Sequence, residues 1–159
     1  MERVGFGYDV HAIEAGRPLV LGGVRFESPW GLMGHSDADV LAHAIGDALL
    51  GAAALGDLGT HFPPGDPRWK GASSLGLLST IARLVRAKGF EIANVDATLL
   101  AEAPKILPRR SEMQAALAGA LGLKPDQVGV KATTSEGLGF VGRAEGLAAM
   151  AVAALYSRP

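Results

Sequence analysis

The chain has 159 residues, which suit one compact domain and leave little room for a second, and it is 48% hydrophobic with 19% charged residues, which excludes an intrinsically disordered chain. Its 15 basic and 16 acidic residues leave a net charge of -1, so no broad basic field exists to hold a nucleic-acid backbone and no nucleic-acid partner is expected. Cysteine is absent, which leaves only His, Asp and Glu as ligands for a metal.

The opening residues enter a structured pattern without the charged start and long apolar stretch of a signal peptide. The apolar runs at 40–55 and 147–155 fall short of the roughly 20 residues that span a bilayer. A cytoplasmic protein with no membrane association is the expectation. The first segment alternates: Val4, Phe6, Tyr8 and Val10 share one face of a strand, and Gly5, Gly7, Asp9 and His11 share the other. Leu19–Leu21 and Val24–Phe26 read as a hairpin turning at Gly22-Gly23. Ser36 reads as a helix N-cap, with Asp37 and Asp39 in the first turn. That helix runs to about Leu55 and carries Val40, Leu41, Ala44, Ile45, Ala48 and Leu49 as its buried stripe.

A loop rich in glycine and proline, 56–71, precedes a second helix over 73–88 that stops at Gly89. Phe90 to Leu100 reads as a strand, Pro108 opens a third helix ending near Gly122, and Val128 to Thr133 is a further strand. The last segment, 145–156, is divided: its alanines favour helix, while Val152, Leu155 and Tyr156 tolerate strand. Separate helices and strands give an α+β class.

Three groups of residues can carry chemistry. Asp9 and His11, two apart on a strand, put a carboxylate and an imidazole on one face about 7 Å apart along the backbone. His43 lies on the first helix, with Asp39 and Asp47 one turn to either side. If that helix packs across the first strand, Asp9, His11 and His43 make two imidazoles and a carboxylate, the donor set of a catalytic zinc site. A helical histidine between carboxylates is more often a solvated or salt-bridged surface group. The loop 101–108 follows a strand, is stiffened by two prolines and offers Lys105 as a cation for phosphate. The run Lys131 to Phe140 also follows a strand; its hydroxyls and glycine-exposed N–H groups are phosphate donors, and Glu136 suits a hard cation. Each of these two loops, taken alone, reads first as an ordinary strand-to-helix or strand-to-strand turn.

Taken together, these residues resemble the cyclodiphosphate synthase family of the non-mevalonate isoprenoid pathway. The matching blocks are Gly7-Tyr8-Asp9-Val10-His11, His35-Ser36-Asp37-Ala38-Asp39-Val40, Asp47 to Gly51, Leu55 to Gly59, Ala103-Pro104-Lys105, and Lys131 to Thr134 on through Gly142-Arg143. The resemblance spans nearly the whole chain. It implies a single domain over 1–159, with a mixed β-sheet covered by helices on one face and sheets packed around the threefold axis of a homotrimer. It also makes the last segment a strand, against its propensity.

By the same resemblance Asp9, His11 and His43 bind one zinc per subunit, and Glu136 binds Mg²⁺ or Mn²⁺ with the diphosphate. His35 and Ser36 contact substrate phosphates. Asp57, Leu58 and Gly59 hold the erythritol hydroxyls, and Phe62, Pro63, Pro64, Gly65 and Asp66 close that side. Ala101, Glu102, Ala103, Pro104, Lys105, Ile106 and Leu107 enclose the cytosine. Ala132, Thr133, Thr134 and Ser135 join Glu136 at the diphosphate, with Phe140 and Arg143 close by. His35 and Thr134 are implied to be transition-state stabilisers. Active sites lie between subunits, and the substrate is 4-diphosphocytidyl-2-C-methyl-D-erythritol 2-phosphate, which cyclises with release of CMP. Two departures stand out: Pro64 replaces a common Asp, leaving Asp66 as that loop's carboxylate, and Tyr8 stands where Phe is common. His61 matches no family role and reads as a surface histidine. Two other functions fit the same residues: a zinc hydrolase of nucleotides or phosphate esters, and a non-catalytic trimer that binds a cytidine nucleotide or an isoprenoid diphosphate.

Overall fold

Strand β1 (Glu2–Ala15) places its glycines inward and its large apolar side chains outward. Gly5 and Gly7 are buried, whereas Val4 is 71% and Phe6 62% exposed. The computed structural model describes residues 2–158; Met1 and Pro159, the two ends of the expected domain, lie outside the described residues. Strands β2 (Leu19–Leu21) and β3 (Val24–Phe26) form the expected hairpin, with Gly22 and Gly23 both at positive φ in its turn. Strand β4 (Trp30–Leu32) then pairs antiparallel with the end of β1.

Helix α1 (Val40–Ala52) starts later and stops earlier than its sequence suggests. The cap is Asp39, not Ser36: the Asp39 carboxylate accepts the Ala42 N–H at 3.1 Å and also the N–H groups of Gly22 and Gly23 at 2.9 and 2.7 Å. One fully buried side chain thus caps the helix and ties it to the hairpin turn. Short helix α2 (Leu58–His61) is capped by Asp57, and α3 (Ser74–Ala87) begins after Ser73 and ends before Gly89. Strand β5 (Phe90–Leu100) leads through the loop 101–106 into a 3₁₀ turn and α4 (Arg110–Leu121), which Gly122 closes in a left-handed conformation. Strand β6 (Val128–Thr133), the four-residue helix α5 (Gly139–Gly142) and β7 (Gly146–Ser157) complete the chain.

The main sheet has the order β4-β1-β7-β5-β6. Only β5 and β6 run parallel, so the sheet is mixed, and the α+β expectation holds. The alanine-rich β7 is a strand because both its edges are used: it pairs with β1 from Glu2↔Tyr156 to Ala12↔Gly146 and with β5 from Phe90↔Ser157 to Leu100↔Ala148. Pairing on two sides overrides the helical preference of alanine. Ala149, Ala151 and Ala153 on its inner face are buried, and α1 packs over both β1 and β7 where these small residues and the glycines leave room. Helices α3 and α4 cover β5 and β6 on the same side. The opposite face carries Val4, Phe6, Tyr8 and Val10 beside Met150, Val152 and Tyr156, all exposed.

Candidate metal centre and two cavities

The inward face of β1 continues from Gly5 and Gly7 into Asp9 and His11, and close packing of α1 on those glycines delivers His43 to the same point. A Cβ built on Gly5 would lie 2.0 Å from the Ala48 carbonyl oxygen, so any side chain there would hold helix and strand apart. The Asp9 Oδ2 atom lies 2.8 Å from His11 Nε2 and 3.2 Å from His43 Nδ1, and those two nitrogens are 3.2 Å apart. The three donor atoms form a group that could hold a metal ion.

Hydrogen bonding on the far side of each ring fits that role. His11 Nδ1 is 2.7 Å from the Met33 carbonyl oxygen, which can only accept, so Nδ1 carries hydrogen and Nε2 turns toward Asp9. His43 Nε2 lies among the hydroxyls of Ser74 and Ser36, at 2.9 and 3.2 Å. Two imidazole nitrogens and a carboxylate oxygen therefore converge, a nitrogen and oxygen donor set that suits a divalent transition metal. Burial pushes the Asp9 carboxyl up, but hydrogen bonds and charge from His11 and His43 outweigh it and hold the pKa at about 2. For His11, burial disfavours the charged form, while the hydrogen bond to Asp9 and its negative charge win and raise the pKa above the ordinary 6.5.

These ligands line a cavity of about 320 Å³ together with His35, Ser36, Leu58, Gly59, Phe62 and Pro64. The Arg17 guanidinium donates to the carbonyls of Gly34 and Ser36, at 2.9 and 3.3 Å, and so holds the segment bearing His35 from both sides. His35 Nε2 donates to the Asp66 carbonyl at 3.0 Å. The Asp66 carboxylate itself is bound by Arg68, which lowers its pKa. Asp57, Pro63, Gly65 and Asp66 do not line the cavity. Asp57 accepts the N–H and hydroxyl of Thr60 as the cap of α2. His61 is half-buried and donates to the Leu55 carbonyl, so it serves the loop rather than standing free on the surface. Sequence reasoning missed Trp69 and Leu77 in this wall. Trp69 meets Phe62 edge to face at 5.0 Å, and its buried Nε1 has no hydrogen-bond partner among the described residues. A tryptophan in a Gly/Pro loop was the available signal.

A second cavity of about 330 Å³ is lined by Ala101, Pro104, Lys105, Ile106 and Leu107 on one side and Ala132, Thr133 and Thr134 on the other. The parallel pairing Leu100↔Thr133 brings the two loops together. Lys131, which opens the run read as phosphate donors, and Arg110, which the sequence reading did not place there, add two cations. Glu102, Ala103, Ser135, Glu136, Phe140 and Arg143 do not line it. Glu102 joins the loops instead: its Oε1 accepts the N–H of Ser135 at 3.0 Å and of Gly137 at 3.4 Å. Glu136 between them adopts a φ of 53°, a left-handed conformation uncommon outside glycine. Arg143 pairs with Glu145. Among the described residues none lines both cavities.

The model of the YgbB family matches residues 2–156. The chain is 66% identical over 152 residues to the "Bifunctional enzyme IspD/IspF" of Anaeromyxobacter sp. (strain Fw109-5), covering 96% of this chain and 39% of that relative's length. It is 56% identical over 154 residues to the 2-C-methyl-D-erythritol 2,4-cyclodiphosphate synthase of Pelotomaculum thermopropionicum (strain DSM 13744 / JCM 10971 / SI), covering 97% of this chain and 95% of that one. Among solved structures it is similar to the Plasmodium falciparum "IspF CDP complex", with a TM-score of 0.87, 32% identity, and coverage of 99% and 97% of the two chains. The resemblance read from the sequence blocks is borne out: the chain belongs to the YgbB family of cyclodiphosphate synthases.

Proposed function

We propose that the protein is a phosphorus–oxygen lyase that converts 4-diphosphocytidyl-2-C-methyl-D-erythritol 2-phosphate into 2-C-methyl-D-erythritol 2,4-cyclodiphosphate and CMP. The observation that carries the reading is the convergence of Asp9, His11 and His43 in a cavity that also holds His35 and Ser36. The name of the Pelotomaculum relative supports the product, and the CDP in the Plasmodium structure supports a cytidine nucleotide as part of the ligand.

In this reading the 2-phosphate oxygen attacks the β-phosphorus and CMP leaves. The nucleophile is already ionised and tethered, so the chain need supply no nucleophile of its own. Its residues must fold a flexible substrate and hold repelling phosphates together, and correct positioning alone is worth roughly 7–11 kcal/mol. Asp9, His11 and His43 would hold zinc, which would polarise a phosphoryl oxygen. His35 and Ser36 would bind the phosphates, with Asp57, Leu58, Gly59 and the loop from Phe62 to Asp66 around the erythritol. The loop 101–107 would enclose the cytosine. Thr133, Thr134 and Glu136 would hold the diphosphate and its Mg²⁺ or Mn²⁺, and His35 and Thr134 would stabilise charge on the transferring group. The exposed apolar face of the main sheet supports a homotrimer around that face, with each site built from the first cavity of one chain and the second cavity of the next. No helix among the described residues is long and apolar enough to cross a membrane, and a cytoplasmic enzyme is proposed. The test is the pair of products from the named substrate: one CMP and one cyclic diphosphate per substrate consumed support the reading, and binding without release, or CMP beside an open-chain bisphosphate, overturns it.

A further inference from the structure

His43 presents Nδ1 to Asp9 and His11 and turns Nε2 the other way, toward Ser74. The Ser74 hydroxyl is 2.9 Å from Nε2 and belongs to a residue only 1% exposed. Its single proton is already committed, because the hydroxyl donates to Asp37 Oδ1. Ser74 can then only accept from the imidazole, so Nε2 must carry the ring hydrogen. Nδ1 is left with its lone pair facing Asp9 and His11.

The Asp37 carboxylate is held firmly enough to direct that hydroxyl. Its Oδ2 accepts the Ser74 backbone N–H at 2.9 Å, its Oδ1 accepts the Asp39 N–H at 3.2 Å, and the Asp37 N–H donates to the Ala72 carbonyl at 3.0 Å. Asp37, Ser74 and His43 thus form a chain from the segment before α1, through the first turn of α3, to the donor cluster. Ser36 is the weaker candidate for this role: its hydroxyl is farther from Nε2, at 3.2 Å, already accepts the Ala38 N–H, and belongs to the lining of the first cavity.

We propose that Ser74, oriented by Asp37, is a positioning residue that fixes the His43 tautomer and thereby sets the metal affinity of the site. This rests on reading Asp9, His11 and His43 as metal ligands. Partners of this kind, one step behind a ligating histidine, are worth about 10- to 100-fold in metal affinity. Ser74→Ala separates the role from a purely structural one, because the backbone N–H that Asp37 accepts at the start of α3 survives the substitution.

The experiment compares metal-free wild type, Ser74→Ala and Ser74→Thr at pH 8. Zinc affinity is measured by competition with a chromophoric chelator, and the His43 tautomer by long-range ¹H–¹⁵N imidazole spectra. Wild type is expected to show His43 as the Nε2–H tautomer. Ser74→Ala is expected to bind zinc at least about tenfold more weakly and to show mixed tautomers, while Ser74→Thr recovers. A folded Ser74→Ala with zinc affinity within about twofold of wild type overturns the proposal. So does an Nδ1–H tautomer in wild type, which is decisive even where Ser74→Ala does not fold. Wild type that binds no zinc overturns the metal reading itself, an outcome distinct from equal binding by both proteins.

Discussion

Gly7 of β1 lies directly beneath Ala44 of α1, so close that a Cβ on Gly7 would stand 1.9 Å from the Ala44 carbonyl oxygen. His43, the residue before Ala44, reaches Asp9 and His11 because nothing separates helix from strand at this level. Gly7→Ala should therefore destabilise the fold by about 1–3 kcal/mol, the usual cost of overpacking. It should also weaken metal binding by pushing His43 outward. Thermal unfolding and chelator competition on the same sample check both effects. A variant of normal stability and normal zinc affinity would show that the close approach is not needed.

Glu102 bears on the second cavity without lining it. One carboxylate oxygen receives two backbone N–H groups from the segment that carries Glu136. Hydrogen bonds to a charged group contribute about 1.5–3 kcal/mol each, so Glu102→Ala should loosen residues 134–137 and weaken CDP binding by at least about tenfold. Calorimetric titration of CDP measures this, and unchanged affinity would remove Glu102 from the support of the loop.

The end of the chain is secured by charge. Glu91 at the start of β5 accepts from Arg158 Nε at 2.6 Å and from Arg86 Nε at 3.0 Å, and these bonds lower its pKa against a small opposing effect of burial. A carboxyl whose folded pKa is depressed stabilises above its unfolded pKa, about 4.3, and loses that contribution as pH falls through the lower folded value. Glu91→Gln should cost up to about 1 kcal/mol at pH 7. Its melting temperature should approach that of wild type as the pH falls below about 4. A gap that is the same at pH 7 and pH 3 would contradict the assignment.

Phe6 and Val152 lie in register on the bare face of the sheet, at 62% and 43% exposure. In the proposed homotrimer that face is covered. Phe6→Glu with Val152→Glu should leave the core intact and shift sedimentation from three chains to one. A wild type that sediments as a single chain would contradict the trimer directly.

The sequence made much of this legible, and the exceptions share a cause. Alternation along β1 displayed Gly5, Gly7, Asp9 and His11 on one face, and the contact of that face with His43 needed only the guess that the first helix packs across it. The start of α1 was misplaced because Asp39 is chosen as cap by its bonds to Gly22 and Gly23, well upstream, whereas Ser36 looked right on local grounds alone. Strand β7 contradicted its own propensity until pairing on both edges was known. Ser74 meets His43 across 31 positions, and Arg110 reaches the second cavity from the start of α4, relationships no local pattern encodes.

The central claim is that the substrate's own phosphate, not water, attacks the β-phosphorus. The most direct measurement is the mass of both products after reaction of the purified protein with 4-diphosphocytidyl-2-C-methyl-D-erythritol 2-phosphate in ¹⁸O-labelled water. The account predicts CMP and a cyclic diphosphate in equal amounts, neither carrying label. An open-chain 2,4-bisphosphate, or label in either product, would mean that water is the nucleophile and would contradict it.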